Sequence, residues 1–172
     1  TVSSGICTPL YDDVSVTVYS SPTIADAGPD QNLCNVVSAT LAGNTIAVGS
    51  GLWSQVSGPA VTFSDASLPN SSVNGMIPGT YVFQWTSTNG SCISSDQVTI
   101  SNSELPTASS ATPAISNCLF SALNLEGNTP VVGTGIWTQI AGNPVIINAP
   151  SSPVSSVLGA VAGSYTFRWT IS

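Results

Sequence analysis

The 172-residue chain contains no histidine and no lysine, and its single cation is Arg168. Charged residues are 5% of the total, against roughly 25% in an ordinary soluble domain. Each absence removes a class of chemistry. Without His or Lys there is no imidazole acid–base catalysis, no lysine Schiff base and no His-ligated metal. One cation cannot follow a phosphate backbone, so nucleic acid is not an expected partner. No apolar run approaches the ~20 residues of a membrane-spanning helix, and no basic-then-apolar leader opens the chain. Membrane insertion is therefore not expected. A start at Thr1 rather than Met reads as a processed or excerpted chain.

What is present is apolar, hydroxylated and punctuated. Hydrophobic residues are 42% and the mean hydropathy is +0.33, too apolar for a disordered chain. Ser and Thr are about a quarter of the residues, with Asn, Gly and Pro also frequent. Eight Asp and Glu give a formal net charge of −7. Short apolar runs broken by Gly, Pro, Asn and Ser predict many strands and many turns.

The chain repeats itself. LAGNTIAVGSGLWSQVSG, from Leu41, recurs from Leu125 as LEGNTPVVGTGIWTQIAG. Cys34 and Cys118, Gly43 and Gly127, Trp53 and Trp137, Gln55 and Gln139 are each 84 residues apart. GTYVFQWT, from Gly79, matches GSYTFRWT, from Gly163. One residue is read as gained near Asn143 and lost before Pro153. Residues 1–20, with Cys7 and VSVTV, match Cys92 and the QVTIS run. The reading is three segments: 1–20, the last strand of a preceding repeat; 21–104, a complete repeat; and 105–172, a second repeat lacking its last strand.

Strands are predicted at Asn35–Gly43, with Val37, Ala39 and Leu41 inward, and at Leu52–Ser57, Ala60–Ser64, Ser71–Met76, Thr80–Thr86 and Ser95–Ser101. Period-two alternation puts Tyr81, Phe83 and Trp85 on one face and Val82, Gln84 and Thr86 on the other. Asn89-Gly90 predicts a tight hairpin turn. About seven short strands per ~84 residues, with no helical period, predict an all-β fold of tandem immunoglobulin-like β-sandwiches. Trp53 and Trp137 on the third strand and Tyr81 and Tyr165 opening the sixth fit its core and tyrosine corner. Phe83, Trp85, Phe167 and Trp169 complete the expected core.

AGPDQNLC, the Leu-x-Gly-Asn-Thr turn, LWSQVSGP, GTYVFQWT and NGSC…SDQVTI resemble the PKD-like, immunoglobulin-like repeats of giant surface adhesins of gliding Bacteroidota, the SprB type. The resemblance covers essentially the whole chain. It implies a type IX-secreted segment at the cell surface, structural or adhesive, serving as an extended spacer in a filament or gliding-motility adhesin. Its partners would be neighbouring repeats of the same polypeptide and a surface polysaccharide.

The four cysteines admit two pairings. Cys34–Cys92 closes one repeat and leaves Cys7 and Cys118 without partners. Cys7–Cys34 with Cys92–Cys118 uses all four but bridges repeats, across about 26 residues of extended chain, against a Cα separation limit near 7 Å. The within-repeat disulfide is favoured. Free buried thiols are the plain alternative, and a four-Cys zinc site lacks any Cys-x-x-Cys pair.

Nothing predicts an enzyme or a cofactor. No Ser, Cys or carboxylate has a base at a motif spacing. Adjacent Asp12 and Asp13 point to opposite strand faces. Asp26 and Asp30, at a repeat junction, are weak metal candidates for calcium; Ser110 and Ala114 replace them in the second copy. Tyr11 and Tyr19 are aromatics that the shared core does not require, since Ser95 and Ser103 replace them, and are candidates for stacking on a glycan. A carbohydrate-binding module is thus a second reading, and a fibre assembling by strand complementation a third. Arg168 is expected to face solvent.

Overall fold

A computed structural model describes residues 12–113, 116 and 123–172. Every element in it is a β-strand: β1 Gln31–Cys34, β2 Ser38–Thr40, β3 Ser50–Ser57, β4 Thr62–Phe63, β5 Ser72–Asn74, β6 Gly79–Asn89, β7 Cys92–Ser103, β8 Leu123–Glu126, β9 Gly135–Ala141, β10 Ile146–Ile147, β11 Val154–Leu158 and β12 Thr166–Ile171. The described residues group into two compact units, residues 12–32 with 36–101, and residues 33–35 with the described part of 102–172.

In the first unit, one sheet has the order β1-β7-β6-β3 and the other β2-β5-β4. The alternation along β6 decides what lies between them. Tyr81, Phe83 and Trp85 are buried, with Trp53 opposite Trp85 in register and Leu41, Val73, Val98 and Ile100 closing the core. The two indoles lie 5.0 Å apart at 35°. Phe83 stacks on Tyr81 and meets Phe63 edge-on. At roughly 2–3 kcal/mol for each large apolar side chain removed from water, this cluster is the main stabilising element of the unit.

The second unit has sheets β10-β11-β8 and β12-β9. Its core is Leu125, Trp137, Val157 and Trp169, with Leu123, Val145, Ile147, Phe167 and Ile171 packed around it. Trp137 pairs with Trp169 at 5.1 Å and 39°. Even the irregularities recur. Both long pairs shift register at the same place, at Gln55/Ser57 and at Thr166/Phe167 opposite Gln139. The Gln side chain then bridges the shift: Gln55 Nε2 donates to the Pro59 carbonyl at 2.7 Å, and Gln139 Nε2 to the Asn143 carbonyl at 2.7 Å. Val61 and Val145 donate back to the two Oε1 atoms, and Asp65 N and Ala149 N donate to Ser71 Oγ and Ser155 Oγ. Every one of these pairs is 84 residues apart, so the residue gain near Asn143 and loss before Pro153 are not found.

Two strand expectations need correction. Val37 is 73% exposed rather than inward, and the strand there is the short β2. Asn35 is the cause: its φ of 50° breaks the chain between β1 and β2, and the Val37 carbonyl takes the Gly75 and Met76 amides. β1 itself was not anticipated. It lies parallel to β7, with Thr99 N donating to Asp30 Oδ1 at 2.7 Å and Asn35 N to the Ser103 carbonyl at 2.8 Å.

Candidate functional site

The groups that could carry chemistry are engaged in holding the backbone. Asp26 Oδ1 accepts from Gly28 N at 2.9 Å, across a glycine at φ 78°. Asp96 Oδ2 accepts from Ala27 N at 2.8 Å and Ser94 Oγ from Ala25 N at 3.0 Å, while Asp30 takes Thr99 N. Residues 25–30 are thereby stitched along β7. Asp26 and Asp30 serve as backbone acceptors in this arrangement. Among the described residues no group of three or more Cys, Asp or Glu is placed to hold a metal ion. Asp65 is drawn below the ordinary aspartate range by two hydrogen bonds from Ser67, hydroxyl first and amide second.

The tryptophans present no binding face. Trp53, Trp85, Trp137 and Trp169 are each at most 4% exposed. Their indole N–H groups donate to main-chain carbonyls: Trp53 to Leu68 and Pro69, Trp85 to Asn44, Trp137 to Pro153 and Trp169 to Asn128. A hollow of about 290 Å³ lies over the edge of Trp85, lined by Thr45, Ile46, Gly49, Ser50, Gly51, Ser67 and Pro69. It holds hydroxyl and apolar groups and no titratable side chain, so it supplies neither nucleophile nor base.

Cys34 and Cys92 are both free thiols, Cys34 exposed and Cys92 half-buried. The expected disulfide between them is not formed. Cys92 opens the twelve-residue β7, whereas Cys34 lies beside its other end, next to the Asn35–Ser103 bond. At ~3.3 Å per residue the two are roughly 36 Å apart along the strand, several times the reach of a disulfide. Cys7 and Cys118 lie outside the described residues, as does Tyr11.

How the chain enters each unit is specific and repeated. Thr23 Oγ1 accepts from Ala47 N and Val48 N, and Thr107 Oγ1 from Val131 N and Val132 N. Asn44 clasps the entering strand by donating to the Ile24 carbonyl and accepting from Asp26 N; Asn128 does the same at Ala108 and Ser110. The motif Leu-x-Gly-Asn-Thr was visible in the sequence, but the role of its Asn was not. Upstream, Asn89 Nδ2 donates to the carbonyl and hydroxyl of Ser20 at 2.9 and 3.0 Å. The Tyr19 ring lies directly on Gly90, where a Cβ would come within 2.3 Å of it. Tyr19 thus has a packing role at the hairpin turn, with 46% of its surface still exposed.

Residues 12–18 belong to no strand and are exposed. Val14, Val16 and Val18 are 86%, 77% and 87% exposed. Arg168 is exposed, as expected.

The chain is similar to several known domains. The family described as "K319L-like, PKD domain" matches residues 27–101. The solution structure of the PKD domain from KIAA 1837 protein is 32% identical, covering 52% of this chain and 93% of that one, with a TM-score of 0.43. The crystal structure of titin domains z1z2 in complex with telethonin is 12% identical, covering 92% of each chain, with a TM-score of 0.44. No curated protein matches the chain. The 32% identity to the PKD domain over 93% of that chain, together with the family match to residues 27–101, means that this chain belongs to the PKD domain family of immunoglobulin-like β-sandwiches.

Proposed function

We propose that the chain is a structural and adhesive segment of a secreted cell-surface filament, its sandwiches serving as spacer modules in series. The observation that carries this reading is the duplicated entry clasp, Thr23 with Asn44 and Thr107 with Asn128. A fixed entrance in each unit makes the module a repeating mechanical part. The candidate catalytic groups support a non-enzymatic role, since the aspartates and indoles are engaged with the backbone. Buried tryptophans remove the best candidates for the carbohydrate-binding reading, whose platform would be an exposed planar aromatic. Small-angle scattering of this chain beside longer multi-repeat chains tests the spacer role. The maximum dimension is expected to grow by a near-constant increment per repeat; a dimension that stops growing as repeats are added would sink it.

A further inference from the structure

An asparagine followed by glycine is open to a reaction of its own main chain. The glycine amide nitrogen attacks the asparagine Cγ, the new N–C bond closes a five-membered imide, and Nδ2 leaves as ammonia. Water then opens the imide at either carbonyl, leaving aspartate or isoaspartate. Glycine favours the closure because no Cβ obstructs it. The sequence holds this pair twice, at Asn74-Gly75 and Asn89-Gly90, and the fold treats the two differently.

Asn74 is locked. It ends β5, paired with Ser38 of β2 on one side and Thr62 of β4 on the other. The Gly75 amide donates to the Val37 carbonyl at 3.0 Å, so the attacking nitrogen is engaged as well. Asn89 instead ends β6 at its turn into β7. Gly90 is exposed, and among the described residues its amide donates no hydrogen bond. The Asn89 side chain is held at the surface by its two Nδ2 bonds to Ser20, 2.9 Å to the carbonyl and 3.0 Å to the hydroxyl. Exposed contacts of this kind open more readily than a strand bonded on both sides.

We propose that Asn89 is a deamidation site, and that its conversion releases Tyr19 and Ser20 from the turn between β6 and β7. The Asn89 amide is the donor in both bonds to Ser20. Aspartate offers only acceptors and a negative charge there, so it opposes the Ser20 carbonyl. Isoaspartate also inserts a main-chain carbon directly before Gly90, against whose backbone the Tyr19 ring is seated too closely for any Cβ. The reaction consumes only water and loses ammonia, so the release runs one way. It stands apart from the spacer reading, which holds whether or not Asn89 converts.

The test is incubation of the 172-residue chain at mildly alkaline pH, where more of the glycine amide is deprotonated, followed by peptide mapping of the amide-to-acid mass gain. In the folded chain Asn89 is expected to convert at least about tenfold faster than Asn74, and in concentrated urea, where neither backbone is held, the two rates are expected to be similar. Chymotryptic cleavage after Tyr19 is expected to be several-fold faster in the aged chain, and in Asn89→Asp, than in the fresh parent. An Asn89 that stays intact in the folded chain, or that converts no faster than Asn74, overturns the inference. So does a difference between the two sites that persists in urea. Cleavage after Tyr19 that neither ageing nor Asn89→Asp accelerates overturns the release.

Discussion

Tyr81 and Ile77 hold each other twice: the phenol Oη accepts from the Ile77 amide at 2.9 Å and donates to the Ile77 carbonyl at 2.7 Å. The ring is fully buried, so the pair ties the start of β6 to the loop before it out of reach of water. Tyr165 makes the same two bonds to Val161, both 2.9 Å, at an exposed site. Removing the hydroxyl leaves a main-chain donor and acceptor unmet, which costs more where water cannot replace it. Tyr81→Phe is therefore expected to lower stability by about 1–2 kcal/mol. Tyr165→Phe is expected to cost under about 1 kcal/mol. Chemical denaturation of the two variants checks the ordering; equal losses would contradict it.

Gly51 is the second sensitive point. A Cβ there would lie 2.2 Å from Cζ2 of Trp85, and the equivalent atom at Gly135 would lie 2.0 Å from Trp169. Neither indole can retreat, since each is buried and hydrogen-bonded through Nε1. Gly51→Ala is expected to cost about 3 kcal/mol through overpacking and to shift the tryptophan emission. Gly75→Ala is the comparison for strain alone, because its φ is 84° but its Cβ would meet nothing within 4 Å. A smaller loss at Gly51 than at Gly75 would show that backbone strain, not the indole, dominates.

These contacts mark how far the sequence could be read. The tryptophan pairs were legible because alternation and duplication point to the same face, and the structure puts Trp53 opposite Trp85 and Trp137 opposite Trp169. β1 was not legible. Gln31–Cys34 alternates weakly, and the bond that ties its start to the parallel partner spans 69 residues, beyond any local signal. The Cys34–Cys92 pairing was favoured because both residues fall within one repeat, and spacing alone does not show that a parallel β1 sets Cys34 beside the far end of β7. Tyr19 was marked as unnecessary to the shared core, yet its seat depends on a bare glycine in another strand's turn.

Thiol chemistry reports on the cysteine arrangement directly. Cys34 is exposed at the end of β1 and Cys92 is half-buried at the start of β7. In the folded chain a maleimide is expected to modify Cys34 faster than Cys92, since the more accessible sulfur meets the reagent more often. Non-reducing peptide mapping is expected to show no Cys34–Cys92 peptide. Finding that linked peptide in quantity would mean that β1 and β7 do not run parallel.

Acid should act through Asp65. Its carboxylate accepts the Ser67 hydroxyl at 2.6 Å and the Ser67 amide at 2.9 Å, which holds its pKa below the ordinary 3.8. A depressed folded-state pKa means that this contribution is complete above the unfolded value. It is lost as pH falls below 3.8 through the folded value. The group is fully exposed, so the effect is small, and its direction is the prediction. The urea midpoint of Asp65→Asn is expected to change less than that of the parent between pH 5 and pH 3. An identical acid response in the two would remove Asp65 from the account.

The last prediction comes from an imperfection in the first core. Ser87 is fully buried on β6, opposite Gly51, and its hydroxyl has no hydrogen-bond partner among the described residues. The same position in the second unit is Ile171, opposite Gly135 and packed against the Leu125–Trp169 cluster. The site therefore tolerates an apolar side chain in one copy and hides an unmet polar group in the other. Burying a hydroxyl without a partner costs about 1–3 kcal/mol. Ser87→Ala removes that group while adding no volume, so a gain of about 1 kcal/mol is expected. Ser87→Ile is expected to do worse than Ser87→Ala, because Ile46 and the Trp85 ring already crowd Gly51 across the strand pair. Thermal denaturation of the two variants settles the order. A destabilised Ser87→Ala would mean that the hydroxyl is bonded in solution, with a buried water as its natural partner.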